Sequence, residues 1–197
     1  MPRRKIPTVI FVLFSSLVIL RTIQVMGRDP LHTAINGPCR LAFDSKGDLY
    51  VSEEDGNHIF RIDWTQNKAT VVAGNGKKCC FKENALARES SIYYVYSIAF
   101  DAADNLYMGG RNHDDDAFIR VVDKKTRRIR YFVKGRSPVS ARGVPLLEAD
   151  VSEPKGIVSL RSGALLVSTP DQIVELGKTA VTFAGIPDRM DGVPTAR

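Results

Sequence analysis

"LAFDSKGDLYVSEEDGNHIFRID", Leu41 to Asp63, and "IAFDAADNLYMGGRNHDDDAFIRVVD", Ile98 to Asp123, are nearly one sentence written twice. Both hold an apolar run ending in Phe-Asp, a short polar turn, a Leu-Tyr strand, an acidic loop, and an Ile- and Arg-bearing strand that closes on Asp. In the first copy the strand-like runs are 40–43, 49–52, 59–63 and 69–73, with the turn Asp44-Ser45-Lys46-Gly47-Asp48. In the second they are 97–100, 106–108, 118–122 and 129–133, around Asp101-Ala102-Ala103-Asp104-Asn105. A third, more diverged copy follows at 156–160, 164–168, 173–176 and 180–184, around Arg161-Ser162-Gly163. The runs are short, rich in Val, Ile, Tyr and Phe, and divided by Asp, Asn, Gly and Ser, which predicts strands and turns. After residue 30 no stretch keeps a helical period, although "ENALARES" and "LLEADVSEP" each have room for one helical turn.

A three- to five-residue turn between the first two runs forces antiparallel pairing, because a parallel pair needs a long crossover. Each copy therefore predicts a four-stranded antiparallel meander. Both faces of such a sheet carry apolar side chains, since Leu49 and Val51 alternate with Tyr50, and Val71 and Ala73 with Val72. One small sheet cannot bury two faces, whereas sheets stacked on one another can. The repeat is thus a physical requirement.

The chain has 197 residues, 44% hydrophobic and 25% charged, which places it among globular proteins. Its formal charge of +6 is misleading. Residues 1–27 hold Arg3, Arg4, Lys5 and Arg21 and no acid, so the remainder has 24 basic against 22 acidic residues. A near-neutral body argues against a phosphate-binding surface and hence against nucleic acid. Arg3-Arg4-Lys5, the apolar run Ile6–Leu20 and the small residue Gly27 read as a secretory signal over 1–27, either cleaved or kept as an N-terminal membrane anchor. Arg21 cuts the run short of the roughly 20 apolar residues a span needs. Either outcome predicts an extracytoplasmic body, secreted or periplasmic, that meets a membrane only through that segment. Cys39, Cys79 and Cys80 allow one bridge, from Cys39 to Cys79 or Cys80, or none.

In its motifs the chain resembles the NHL-repeat β-propellers. The residues that carry the likeness are Gly47, Leu49, Tyr50 and Val51; Asn57, His58, Ile59 and Arg61; and Val71 to Gly74. Copy two supplies Asn105, Leu106, Tyr107, Ile119, Arg120 and Gly135, and copy three Pro154, Gly156, Leu165, Val167, Ala184 and Gly185. The resemblance implies an all-β propeller over 28–197 with blades near 36–80, 92–136 and 150–186, and with 187–197 opening a further repeat. It implies an open arc of a six-bladed ring, completed by further blades of a longer chain or, if this chain is complete, by a homodimer.

The implied function is a binding scaffold for a protein or glycan, with no cofactor. The alternative is a fragment of an extracytoplasmic enzyme, metal-dependent and lactonase-like or lyase-like, in which Glu53 and Asp171 are the kind of carboxylates that line the central channel. Among individual clusters, Arg111, Asn112, His113, Asp114, Asp115 and Asp116 form the expected partner-contact loop. Their consecutive carboxylates lack the alternating pattern of a calcium loop. "SEED", 52–55, pairs carboxylates after a strand, but no His, Ser or Cys is placed beside them by sequence, so no catalytic residue is assigned. His32, His58 and His113 share no ligand spacing. "DKKTRRIR", 123–130, packs five basic residues into a hairpin turn; it reads as a soluble tip, with phosphate or acidic-glycan contact as the lesser alternative.

Overall fold

The structure, a computed structural model, describes residues 34–112, 114, 116–135, 139 and 143–185. Three antiparallel sheets account for the strands. The first contains β1 (Pro38–Phe43), β2 (Leu49–Glu53), β3 (His58–Asp63) and β4 (Lys68–Ala73), in that order. The second opens at its outer edge with β5 (Ala85–Leu86), paired to β9 (Arg128–Val133), and continues through β8 (Ala117–Val122) and β7 (Leu106–Arg111) to β6 (Val95–Phe100). The third is β10 (Gly156–Ser159), β11 (Leu165–Ser168), β12 (Gln172–Leu176) and β13 (Ala180–Gly185). The meander reading thus holds in all three copies, with one correction: the middle sheet has five strands. Its extra strand comes from "ENALARES", which also holds the expected single turn, a 3-10 turn over Ala87–Glu89. The second linker likewise holds one at Leu146–Glu148.

The copies agree in atomic detail. In each first hairpin the residue that ends the inner strand is hydrogen-bonded to the one that starts the next: Asp44 N–H to Asp48 O, Asp101 to Asn105, and Leu160 to Ala164. Asp44 Oδ1 accepts the N–H groups of Lys46 and Asp48, and Asp101 Oδ1 accepts those of Ala103 and Asn105. Tyr50 and Tyr107 donate to the second oxygens of the same aspartates. Burial, and then the nearby aspartate, pushes both phenols up to about 12. The fourth turn position takes a positive φ in every copy, at Gly47, Asp104 and Gly163. A bulge interrupts the third-to-fourth strand pairing after Ile59, Ile119 and Ile173 alike.

The sheets stack face to face. Tyr50, Ile59 and Ala73 of the first sheet meet Ile98, Leu106, Met108 and Ile129 of the second in one buried cluster. Ala99, Tyr107, Ile119 and Val133 of the second meet Ile157, Leu165, Val174 and Leu176 of the third in another. Strands β1, β6 and β10 lie side by side along the inner edge. These are blades around a common axis. The logic shows at the ends: Leu41 is 65% exposed, whereas its counterparts Ile98 and Ile157, each covered by a preceding sheet, are 7% and 8% exposed. At the other end Val158 and Phe183 are exposed where their counterparts Ala99 and Phe132 are packed against the next sheet.

Register corrects one sequence match. Arg120, taken with Arg61 as the arginine of the Ile-Arg string, pairs with Tyr131 and Met108. Those are the partners of the position held by Phe60, which pairs with Val71 and Val51. Counting back from Asp63 and Asp123 gives the same result, and Val121 stands where Arg61 stands. Arg120 is consequently buried, not exposed. Its guanidinium lies between the rings of Phe81 and Tyr131 and donates to Ser90 Oγ, Ser91 O and Lys82 O. Burial lowers its pKa.

Candidate functional site

Because neighbouring strands alternate in direction, the β2–β3, β7–β8 and β11–β12 turns and the inter-sheet linkers share one end of the stack. The acidic loop lies there. Asn112 shapes it: its Oδ1 accepts the N–H groups of Asp114 (2.9 Å) and Asp116 (2.8 Å), and its own N–H bonds Asp116 O. Arg111, at the end of β7, reaches across to the following linker and meets Glu153 Oε1 at 2.5 Å. Lys155 stands 3.4 Å from the other oxygen of Glu153. Asp150 Oδ1 holds the backbone and hydroxyl of Ser152. Arg111, Asp114, Asp116, Asp150 and Glu153 line a cleft of about 370 Å³ between the second sheet and the linker that leads from it to the third. The linker closes tightly beside it, since a Cβ on Gly135 would collide with the backbone of Glu148.

Four carboxylates stand against the Arg111 guanidinium and the Lys155 ammonium, both of which engage Glu153, so the surplus acceptors suit ammonium, guanidinium or hydroxyl groups. Of the loop expected from sequence, Arg111, Asn112, Asp114 and Asp116 belong to it, while His113 and Asp115 lie outside the described residues. Asp150 and Glu153 were not anticipated. They come from a linker some 35 residues further on, and no local pattern ties them to the loop.

Glu53 and Asp171 do not converge. Glu53 is buried within the first sheet, where its carboxylate accepts Asn36 N–H at 2.6 Å and contacts His58 Nδ1 at 2.8 Å, packed over Gly56. Asp171 is exposed in the β11–β12 turn. His58 is thus the partner that sequence did not place beside "SEED". The signal was available in the antiparallel count, since the Glu54–Asn57 turn puts residue 53 opposite 58. Among the described residues no group of three or more His, Cys, Asp and Glu is arranged to hold a metal ion. Cys39, Cys79 and Cys80 are free thiols. Cys39 lies in β1 beside Glu54 and Arg40, and burial raises its pKa. Cys79 and Cys80 are exposed in the β4–β5 loop and hydrogen-bond to each other, which raises the pKa of Cys79. No helix among the described residues is long and apolar enough to cross a membrane. Residues 1–27, with the expected signal, lie outside the described residues.

No family model and no curated protein sequence matches the chain. Solved structures do match in fold. A protein of unknown function from Bacteroides thetaiotaomicron VPI-5482 superposes with a TM-score of 0.52 at 16% identity, over 76% of this chain and 36% of that one. A streptogramin B lyase gives 0.49 at 14%, over 81% and 44%, and virginiamycin B lyase from Staphylococcus aureus 0.46 at 17%, over 78% and 42%. This chain therefore spans about a third to a half of the length of the structures it resembles. The structural neighbours are β-propellers, and at these identities the likeness is one of fold. The chain has an all-β propeller fold of stacked antiparallel blades. That fold is shared by enzymes and binding proteins alike.

Proposed function

We propose that this chain is the extracytoplasmic part of an NHL-type propeller that holds a protein or glycan partner in the cleft between its second blade and the linker that follows it. One observation carries the reading: Arg111, Asp114, Asp116, Asp150 and Glu153, from two separate segments, converge on one open cleft of the size small ligands and side chains occupy. Its acceptor-rich lining favours a basic peptide or a hydroxyl-rich saccharide. The uncovered positions Leu41, Val158 and Phe183 support membership of a larger ring, with further blades on both sides.

Panels of immobilised basic peptides and neutral oligosaccharides test the site. The purified protein should be retained by one panel, and an Asp114→Asn/Asp116→Asn variant should bind about tenfold more weakly, as expected for lost charge-assisted contacts. Equal retention of the two proteins would remove the cleft from the proposal. The enzyme alternative is separated by elemental analysis. Stoichiometric, tightly held Zn²⁺ or Ca²⁺, lost together with a lactonase or lyase activity, would replace the scaffold reading.

A further inference from the structure

A second cleft, of about 520 Å³, opens between the first and second sheets on the outer side of the stack. Three segments distant in sequence contribute a guanidinium each: Arg61 from β3, Arg88 from the 3-10 turn and Arg127 from the β8–β9 turn. Its floor is aliphatic, with Val72 of β4, which faces the second sheet, and Leu86 of β5. Backbone hydrogen bonds fix the walls. Ala87 accepts the N–H of Gly74 from the first sheet at 3.0 Å and donates its own to Arg127 O at 2.9 Å, so both rims hang on one residue. Asp48 engages Nε and Nη2 of Arg61 through a single oxygen. The guanidinium groups of Arg88 and Arg127 have no carboxylate partner among the described residues.

The backbone adds an independent observation. Arg127 has a φ of +59°, the left-handed region that side chains other than Asn, Asp and Gly enter at a cost. The equivalent turn of the first copy has Asn67, at +50°. Both turns are built the same way, with Asp63 Oδ1 accepting Thr65 and Gln66 N–H and Asp123 Oδ1 accepting Lys125 and Thr126 N–H. The second copy thus carries an arginine where Asn would be easier. A strained residue kept at the rim of a cavity points to use of its side chain.

We propose that this cleft, lined by Arg61, Arg88 and Arg127 over Val72 and Leu86, binds a small organic carboxylate with an aliphatic body. Guanidinium forks match a carboxylate in two parallel hydrogen bonds, and the aliphatic floor takes the hydrocarbon out of water. Neither half suffices alone. The site is independent of the acidic cleft on the other junction.

Titration of the purified protein with octanoate, octanamide and acetate, followed by NMR of the methyl groups of Val72 and Leu86, tests the idea. Octanoate should bind at least about tenfold more tightly than either half-ligand and should shift those two residues first. Arg127→Asn should weaken octanoate about tenfold while leaving the melting temperature equal or higher, because Asn suits the turn. Arg88→Gln should weaken it similarly, and Lys125→Gln, an exposed charge outside the cleft, should not. Equal binding of octanoate and octanamide would overturn the proposal. So would equal losses from Lys125→Gln and Arg127→Asn, which would show attraction to net charge alone, or shifts that avoid the floor residues.

Discussion

Replacing Asp104 separates two forces that the repeat has combined at one residue. Its carboxylate accepts both the N–H and the hydroxyl of Ser45 at 2.8 Å, tying the first-hairpin turn of the second sheet to that of the first. Lys124 lies 3.6 Å from the same carboxylate and 3.9 Å from Asp44. At the same time Asp104 has a φ of +60°, at a position where the other two copies have Gly47 and Gly163. Hydrogen bonds to a charged acceptor contribute about 1.5–3 kcal/mol in well-buried settings. At this more open site we take about 1 kcal/mol for each and about 0.5 kcal/mol for Lys124. Asp104→Gly should therefore cost about 2–2.5 kcal/mol, less a fraction recovered by relief of the left-handed backbone. Asp104→Ala loses the same contacts and keeps the unfavourable φ, so it should be worse than Asp104→Gly by about 1 kcal/mol.

Urea unfolding at constant m-value reads both differences. Equal midpoints for the Ala and Gly variants would refute the backbone argument, and a loss below about 0.5 kcal/mol in both would refute the inter-sheet bond. The pH dependence has a fixed sign. Hydrogen bonds from Ser45, its backbone N–H foremost, hold the Asp104 pKa below the ordinary carboxylate value. The advantage of the natural protein over Asp104→Gly is then complete above the unfolded pKa of about 3.9 and fades as pH falls through the lower folded value. A difference that stays flat or grows on acidification would contradict the assignment.

Two further substitutions probe the stacking. Arg120→Met removes a donor shared by Ser90 Oγ, Ser91 O and Lys82 O inside the first inter-sheet linker; it should cost about 1–3 kcal/mol, with limited proteolysis accelerating between residues 77 and 91. Leu165→Ala, fully buried between the second and third sheets, should cost about 2–5 kcal/mol in urea midpoint measurements. Leu41→Ala, at the exposed end, should stay within about 1 kcal/mol, and equal effects for the two would argue against blade-on-blade burial.

The strands were legible because alternation and turn chemistry agree locally: each Asp-led turn fixes its own geometry with its own side chain, as Asp44 and Asp101 do. The number of strands in the middle sheet was not. Ala85 and Leu86 gain their pairing from β9, more than forty residues later, and a two-residue strand leaves no period to detect. Arg120 was misplaced because a motif string was matched letter by letter, whereas strand register is counted from hydrogen-bonded turns. Aligning "IFRID" with "IRVVD" would have set it against Phe60. A charged residue at a core position is itself a local inconsistency, and here Phe81, Tyr131 and the linker carbonyls resolve it.

The same contrast separates the two clefts. The acidic one was half visible, because Asp114 and Asp116 are neighbours in the chain and a run of carboxylates stands out. The basic one was invisible, since Arg61, Arg88 and Arg127 share no spacing and each reads singly as a solvated surface charge. Stacking brings them together: once the Tyr50–Leu106 interface is buried, β4 of one blade must face β5 and the β8–β9 turn of the next, with Ala87 bonded to both. Blade junctions are therefore where this fold assembles chemistry that no single repeat contains. The acidic cleft takes its charge from the β7–β8 loop and the following linker, and the basic one from β3, the β8–β9 turn and the preceding linker, so each draws its sign from segments that no single repeat brings together. A repeat that must lean on its neighbour for stability leaves its junction loops free to vary, since the contacts that bury the core are made by the strands.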